Sequence, residues 1–196
     1  AVKLGMTDAR RYVADPELAV VPVEELLSSA YADRRRALIS MALAISAPEP
    51  GRLASGRDTV YLCAADAEGN AVSFINSLYM GFGSGVVVPG TGIMLQNRGS
   101  LFELDPEHPN CIAPHKRPYH TIIPGMVTKG DVLAICFGVM GGFMQPQGHV
   151  QVLSNILDHG MNAQQALDAP RFCFQGGSRF LIQAFFSGAT CDALKG

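Results

Sequence analysis

The chain has 196 residues, of which 16% are charged and 48% are hydrophobic, and its formal net charge is -2 at pH 7. This near-neutral balance gives no electrostatic reason to expect nucleic acid or an anionic membrane as a partner. The charged fraction lies below the roughly 25% that is typical of globular domains. We therefore expect apolar surface that another chain, or another part of the same precursor, covers. The length suits one domain or part of a larger one.

The cysteines and histidines predict no metal site, and we expect no cofactor. The five cysteines lack the short spacing of zinc and redox motifs, so most are expected to be buried free thiols. The five histidines likewise lack ligand spacing. No apolar run reaches the about 18 residues of a membrane span, and the first residues lack the apolar core of a signal peptide. A cytoplasmic location is favoured, and a leader removed upstream of residue 1 would leave no trace in this sequence.

The first part of the chain is predicted to be helix and loop. Helix formers over 9–13 end at Asp15-Pro16, and 23–45 carries two further helical stretches. Three consecutive arginines, 34–36, favour a solvated helix face. Proline and glycine residues between 48 and 56 then predict a loop that is accessible to a protease or to self-cleavage.

Strands dominate after this loop, and helices follow them. Hairpin turns are predicted at 66–70 and 129–131, and Asn162 is expected to cap the last helix. Strands followed by helices indicate an α+β layered fold. The predicted strands are the two arms of a hairpin over 59–78, then 86–88, a buried strand at 92–95, 120–127 and 132–139, and the predicted helices are 147–158, ended by Gly160, and 163–167.

Thr59 stands at the junction between the loop and the first strand. A β-branched residue that simply begins a strand is the simplest interpretation of the local sequence. A threonine hydroxyl is a weak nucleophile until a base removes its proton, and an N-terminal threonine carries such a base in its own α-amine. Chemistry at Thr59 therefore requires the bond between Asp58 and Thr59 to be cut.

Seven short motifs occur in order along the chain: Asp58-Thr59, Asp66 to Ala71, Phe82-Gly83-Ser84-Gly85, Gly92-Ile93, Lys116-Arg117-Pro118, Gly141-Gly142 and Ala169-Pro170-Arg171-Phe172. Together they resemble the γ-glutamyltranspeptidase family of N-terminal nucleophile hydrolases. The resemblance begins at 12–16, which looks like the end of that family's large subunit, and continues to Phe172. Such an ordered set is far more specific than any single motif. After about Gly176 no resemblance is evident.

The resemblance implies a self-cleaving precursor and assigns roles to four residues. Thr59 would attack the carbonyl of Asp58, and the freed α-amine, with a pKa near ~8, would then act as general base. Ser77 matches a family hydroxyl that supports the nucleophile. Gly141 and Gly142 match the backbone donors of the oxyanion hole. Without the resemblance, an ordinary turn between strand and helix is the favoured interpretation of the two glycines.

The sequence departs from the family at the positions that recognise the substrate. Tyr79 replaces the usual asparagine, Arg98 replaces the usual Glu or Gln, and Leu101 replaces the Asp that pairs with the substrate's α-ammonium group. The paired serines of the family correspond to His120 and Thr121. These changes disfavour a γ-glutamyl donor such as glutathione and suit a glutaryl group, as in the cephalosporin acylases of this broad family, because arginine can hold a carboxylate with two hydrogen bonds. Alternatively, Arg98 points to solvent or pairs with Glu103.

By this resemblance, 1–58 is the end of the large-subunit segment and 59–196 is the small-subunit catalytic segment of a four-layer αββα sandwich. The expected substrate is a small-molecule amide. The expected partner is the remaining large-subunit segment or another chain, in a heterodimer after processing or in a higher oligomer. The alternative function is a non-catalytic scaffold or binding fragment of the same family, in which Thr59 is never released.

Overall fold

The computed structural model describes residues 1–41 and 59–193, and these form a mixed α+β structure. A single 3₁₀ turn at Arg98–Leu101 lies in the long irregular stretch between the second and third strands. In chain order the elements are α1 (Val2–Tyr12), α2 (Val23–Leu26), α3 (Ser29–Arg36), β1 (Thr59–Ala65), β2 (Ala71–Ser77), β3 (Gly125–Lys129), β4 (Val132–Phe137), α4 (Met144–Leu157), α5 (Ala163–Asp168), β5 (Phe172–Gly176), β6 (Arg179–Ile182) and α6 (Gly188–Ala193).

The strands pair as three antiparallel hairpins, β1 with β2, β3 with β4, and β5 with β6. The first hairpin confirms the prediction for 59–78, and its register places Thr59 opposite Ser77. Its turn is held by Asp66, whose carboxylate accepts hydrogen bonds from the backbone N–H groups of Glu68 and Asn70 at 3.1 and 2.8 Å. This pattern of an Asp side chain bonding its own turn is why the hairpin could be predicted.

The second hairpin confirms the turn at 129–131 but begins later than predicted. Gly130 adopts φ 61° at the turn. The strand was expected from His120, yet β3 begins only at Gly125. Pro124 has no N–H to donate to a ladder, and the N–H of Ile123 donates to the Gln145 side chain at 2.8 Å. The residues before Pro124 are therefore held by side-chain contacts rather than by strand pairing.

The prediction of a buried strand at 92–95 is wrong. The segment makes one isolated bridge, between Val87 and Met94, and Ile93 is 59% exposed. Gly90 and Gly92 both have positive φ, at 77° and 70°. Backbone in that region turns the chain instead of extending it, so the apolar residues here form a tight loop.

Two glutamines on α4 bind the edge of β5. The Gln147 amide accepts from the N–H of Phe174 at 2.7 Å and donates to its carbonyl at 3.2 Å. One helical turn later, Gln151 makes the same pair of bonds with Phe172, both at 3.0 Å. These side chains thus pair the strand as a neighbouring backbone would. α4 begins at Met144, three residues before its predicted start, and the capping of α5 by Asn162 is confirmed.

The N-terminal segment is joined to the rest by buried polar contacts. Asp15, only 3% exposed, accepts from the backbone N–H of Arg117 at 2.9 Å and from its guanidinium at 2.7 Å. These bonds hold the pKa of Asp15 well below its usual range. The expectation of a fully solvated arginine face is wrong for Arg35, which is half-buried and pairs with Asp8 at 2.7 Å.

A small apolar cluster of Met6, Phe143 and Phe174 brings α1, the start of α4 and β5 together. The five cysteines are free as expected, but the prediction that most of them are buried is wrong, because only Cys173 is buried, Cys63 on the first hairpin is exposed and the other three are half-buried. Among 1–41 and 59–193, no helix combines the length and the apolar character needed to cross a membrane.

Candidate active site

Thr59 and Ser77 face each other at the open end of the first hairpin. Their pairing in the β1–β2 register brings the hydroxyls together, and Thr59 Oγ1 donates to Ser77 Oγ at 2.9 Å. Ser77 Oγ also accepts from the backbone N–H of Tyr79 at 3.0 Å. Ser77 therefore orients the hydroxyl of Thr59 and fixes the start of the loop that follows β2. Asp58, the other half of the expected cleavage site, lies outside the described residues.

A cavity of about 900 Å³ opens beside Thr59. Its volume lies in the range of small-molecule sites. Its walls come from β1, the end of β4, α4, α5 and β6, and they include Phe137, Met140, Met144 and Arg171. Thr59 therefore borders a largely apolar space with a cationic side chain at its wall.

Gly141 and Gly142 lie between β4 and α4, flanked by the cavity residues Met140 and Met144. Both glycines are buried, with φ 127° and 56°. Their carbonyls accept from the N–H groups of Met144 and Gln145 at 3.0 and 2.9 Å. Within the described part of the chain, the N–H groups of the two glycines donate to no other group. Such a turn fits a simple helix start, and it also leaves two backbone donors for an anion.

Arg98 is buried rather than exposed to solvent. The residue is 3% exposed, and its Nη1 donates to Thr121 Oγ1 at 2.7 Å. The ring of Tyr79 lies 5.3 Å from the guanidinium carbon. No carboxylate of residues 1–41 and 59–193 lies within 4.0 Å of Arg98, so the alternative of a solvent-facing or Glu103-paired arginine is wrong. Burial lowers the pKa of Arg98.

Tyr79 connects the Thr59–Ser77 pair to Arg98. Its backbone N–H bonds Ser77, and its ring stacks on the guanidinium. Its φ of 77° lies in the left-handed region, where a bulky non-glycine residue is an outlier. A continuous set of contacts therefore leads from Thr59 through Ser77 and Tyr79 to Arg98.

His120 and Thr121 differ in environment. Thr121 is buried against Arg98, whereas His120 is exposed and its Nδ1 accepts from the N–H of Ile122 at 3.2 Å. Partial desolvation, together with the charge of Arg98, lowers the pKa of His120. Of this pair, the structure therefore brings Thr121 into contact with Arg98 and leaves His120 at the surface.

Leu101 packs against the apolar cluster that contains Phe143, the residue directly after the glycine pair. Nearby, buried Asn110 donates to the carbonyl of Leu101 at 2.6 Å and accepts from the N–H of Tyr119 at 2.9 Å. Asn110, like Gln145, thus orders the loops that carry Arg98 and Thr121. Neither residue was identified from sequence, because no local pattern marks a polar side chain that binds backbone elsewhere in the chain.

Comparison with known proteins identifies the relatives of this chain. The model of the family described as gamma-glutamyltranspeptidase matches residues 1–196. A protein of Bacillus subtilis (strain 168), named glutathione hydrolase-like YwrD proenzyme, is 44% identical over 172 residues, which are 88% of this chain and 32% of that protein. An oxamate amidohydrolase proenzyme of Klebsiella pneumoniae is 37% identical over 164 residues, covering 82% of this chain and 30% of that protein.

A solved structure shows the same fold. The cephalosporin acylase of Bacillus halodurans superposes with a TM-score of 0.88 at 53% identity, over 98% of this chain and 35% of that one. This chain thus spans about a third of the length of the relatives that it matches. The fold and the relatives define a class of hydrolases and acylases. Within it, the chain belongs to the γ-glutamyltranspeptidase family.

Proposed function

We propose that this chain carries the nucleophile of a γ-glutamyltranspeptidase-like amidohydrolase or acyltransferase, with Thr59 released by cleavage between Asp58 and Thr59. The observation that carries the proposal is the hydroxyl pair Thr59–Ser77, which lies at the edge of a cavity in a chain of this family. The names of the two proteins compared above include the word proenzyme, in keeping with a processed precursor.

Release of Thr59 would use its own hydroxyl. Oγ1 attacks the carbonyl carbon of Asp58, the peptide bond becomes an ester, and water hydrolyses that ester to give a carboxylate on Asp58 and a free α-amine on Thr59. The amine has a pKa of about 8, so roughly a tenth of it is unprotonated at pH 7 and can serve as a base. It can then accept the proton of the adjacent hydroxyl.

The same hydroxyl would next attack a substrate amide. Two N–H groups, from Gly141 and Gly142, would stabilise the oxyanion of the tetrahedral intermediate. The leaving amine takes the proton held on the α-amine of Thr59, and the acyl group remains on Oγ1. Water or an acceptor amine then removes the acyl group and regenerates the enzyme.

The acyl group that suits this site is of glutaryl type rather than γ-glutamyl type. Leu101 offers no partner for an α-ammonium group, and the cation of Arg98 repels one. Arg98, Tyr79, Thr121 and His120 are the proposed substrate-binding residues. The names cephalosporin acylase and oxamate amidohydrolase do not refer to glutathione, which favours this assignment, whereas the name of the 44% identical glutathione hydrolase-like relative favours a γ-glutamyl donor.

In the complete enzyme, 1–58 would end the large-subunit segment and 59–196 would form the small-subunit segment of a four-layer αββα sandwich. The described sheets have only two strands each, and the first hairpin exposes Val60, Leu62 and Phe74. Further strands, from the remaining large-subunit segment or another chain, would cover these residues in a heterodimer or higher oligomer.

The same exposed hairpin supports a second candidate function, a non-catalytic scaffold in which Thr59 stays within the chain. Mass spectrometry of the purified full-length protein separates the two functions. The enzyme predicts one fragment that ends at Asp58 and another that begins at Thr59. Thr59→Ala should leave the chain intact, because no hydroxyl remains to attack, and Thr59→Ser should retain some cleavage. Cleavage of Thr59→Ala at the same bond, without protease, would exclude self-processing by Thr59.

A further inference from the structure

Arg98 is a buried cation without a counter-charge among the described residues. Burying a charge is costly unless it is paired and hydrogen-bonded. Here the Nη1 of Arg98 donates a hydrogen bond to Thr121, and the ring of Tyr79 covers one face of the guanidinium. In the part of the chain that the structure describes, Nε and Nη2 donate to nothing. The unbonded edge of the guanidinium is the edge that binds a carboxylate through two parallel hydrogen bonds.

The strained backbone of Tyr79 places its ring against Arg98. A residue needed only to turn the chain after β2 would be glycine or asparagine, which tolerate positive φ, whereas tyrosine at φ 77° costs energy. What tyrosine adds at this position is an aromatic face 5.3 Å from the guanidinium carbon. Arg98 is thus held from two directions, by a ring on its face and by a hydroxyl on one nitrogen.

We propose that Tyr79 and Thr121 hold Arg98 as the receptor for a carboxylate at the far end of the acyl group, and that Tyr79 determines specificity by positioning Arg98. This inference rests on the proposed function, because Thr59 must be the acylated residue. The bond from Tyr79 N–H to Ser77 fixes the position of the ring relative to the nucleophile. The acyl group would span from Thr59 to Arg98, so that the carboxylate sets the depth at which the amide carbon binds.

The test uses the full-length protein and three amides with the same leaving group: glutaryl, pentanoyl and γ-glutamyl. Pentanoyl has five carbons like glutaryl but ends in a methyl group, so the glutaryl-to-pentanoyl ratio of kcat/KM isolates the carboxylate. We expect Arg98→Gln to lower this ratio roughly 10- to 100-fold, mainly through KM, the size of lost hydrogen bonds to a charged group. Arg98→Lys should recover only part of it, because the ammonium lacks the planar two-nitrogen edge.

Variants of Tyr79 test its positioning role. Tyr79→Asn relaxes the backbone but removes the ring, and we expect it to lower the glutaryl-to-pentanoyl ratio about 10-fold. Tyr79→Phe keeps the ring and should restore the ratio. A matched control exists at Arg34, which lies 5.2 Å from the ring of Tyr31 on an exposed helix. Arg34→Gln should leave the ratio unchanged. An equal loss of both activities in Arg98→Gln, or an unchanged ratio in Tyr79→Asn, would overturn the inference.

A binding measurement separates this inference from the proposed function. Calorimetric titration with glutarate and with pentanoate requires no turnover. We expect the wild-type protein to bind glutarate but not pentanoate, and we expect Arg98→Gln to abolish the binding of glutarate. If the chain is not cleaved before Thr59 but glutarate binds through Arg98, the proposed function fails and the carboxylate site stands. If the protein is cleaved and active but glutarate binds equally to wild type and Arg98→Gln, the carboxylate site alone fails.

Discussion

At the scale of single residues, the site depends on backbone conformations that few residue types adopt. Gly141 and Gly142 have positive φ, and their N–H groups are unpaired within the described chain. Side chains at these positions would strain the turn and, in the proposed enzyme, would rotate the two N–H groups away from the oxyanion. Tyr79 accepts a similar strain, which is why we assign it a function rather than a simple turn.

The glycine pair is tested by Gly142→Val, in which a β-branched residue must occupy φ 56°. We expect single-turnover acylation, normalised to the amount of free Thr59 N-terminus, to fall roughly 10²-fold or more, the size of losing one oxyanion donor. Gly90→Val is the matched control, because Gly90 has φ 77° in an open loop with nothing within 4 Å of an added Cβ. Normal acylation by a well-folded Gly142→Val would reduce the pair to an ordinary helix start.

The single-residue assignments came from the resemblance, and their environments came only from the structure. The resemblance matched Ser77 to a family hydroxyl that supports the nucleophile, and the register of the hairpin places Ser77 opposite Thr59. The stacking of Tyr79 on Arg98 was not predictable, because it depends on a strained loop and on packing between segments distant in sequence. The contact of Leu101 with the apolar cluster was also missed, because it joins residues that are distant in sequence.

At the scale of elements, the sequence predicts the first hairpin and, with a late start, the second, but it predicts neither the third hairpin, β5 with β6, nor the loops. The arms and turn of 59–78 follow from local alternation and from Asp66, and the start of α5 follows from the Asn162 cap. The late start of β3 and the loop at 92–95 depend on Pro124 and on glycine conformations. The pairing of Gln147 and Gln151 with β5 is a tertiary contact, for which hydrophobic periodicity gives no signal.

The contact of Asp15 with Arg117, which joins the N-terminal segment to the loop before β3, should make stability depend on pH. The hydrogen bonds from Arg117 depress the pKa of Asp15 in the folded protein, so their contribution is present above about pH 4 and is lost as pH falls toward the folded pKa. The difference in free energy of unfolding between wild type and Asp15→Asn should therefore be constant near neutrality and shrink below about pH 4. Urea unfolding at a series of pH values measures it.

The neighbouring carboxylate of Glu17 provides the control for the contact between Asp15 and Arg117. Glu17 lies 3.0 Å from the same guanidinium, but its side chain is 78% exposed. Glu17→Gln should therefore change stability far less, because solvent screens exposed ion pairs. Equal effects of Asp15→Asn and Glu17→Gln, or a difference for Asp15→Asn that does not vary down to about pH 2.5, would show that burial of Asp15 does not strengthen its bonds.

At the scale of the whole molecule, the chain spans about a third of the length of its named relatives. The small apolar cluster, the three two-stranded sheets and the exposed side chains of β1 and β2 agree with the low charge of the composition. The sequence predicted apolar surface, but it could not say which faces carry it. In the proposed enzyme, that surface joins the remaining large-subunit segment, and the joining completes the site around Thr59.

The central claim is that Thr59 becomes an N-terminal nucleophile, and trapping its acyl-enzyme tests this most directly. The full-length protein is mixed with a glutaryl anilide, quenched in acid within the first turnover, digested and analysed by mass spectrometry. The account predicts a peptide that begins at Thr59 and carries one glutaryl group on that residue, and no such adduct in Thr59→Ala. An acyl group on another residue, or turnover by a protein whose Asp58–Thr59 bond is intact, would contradict it.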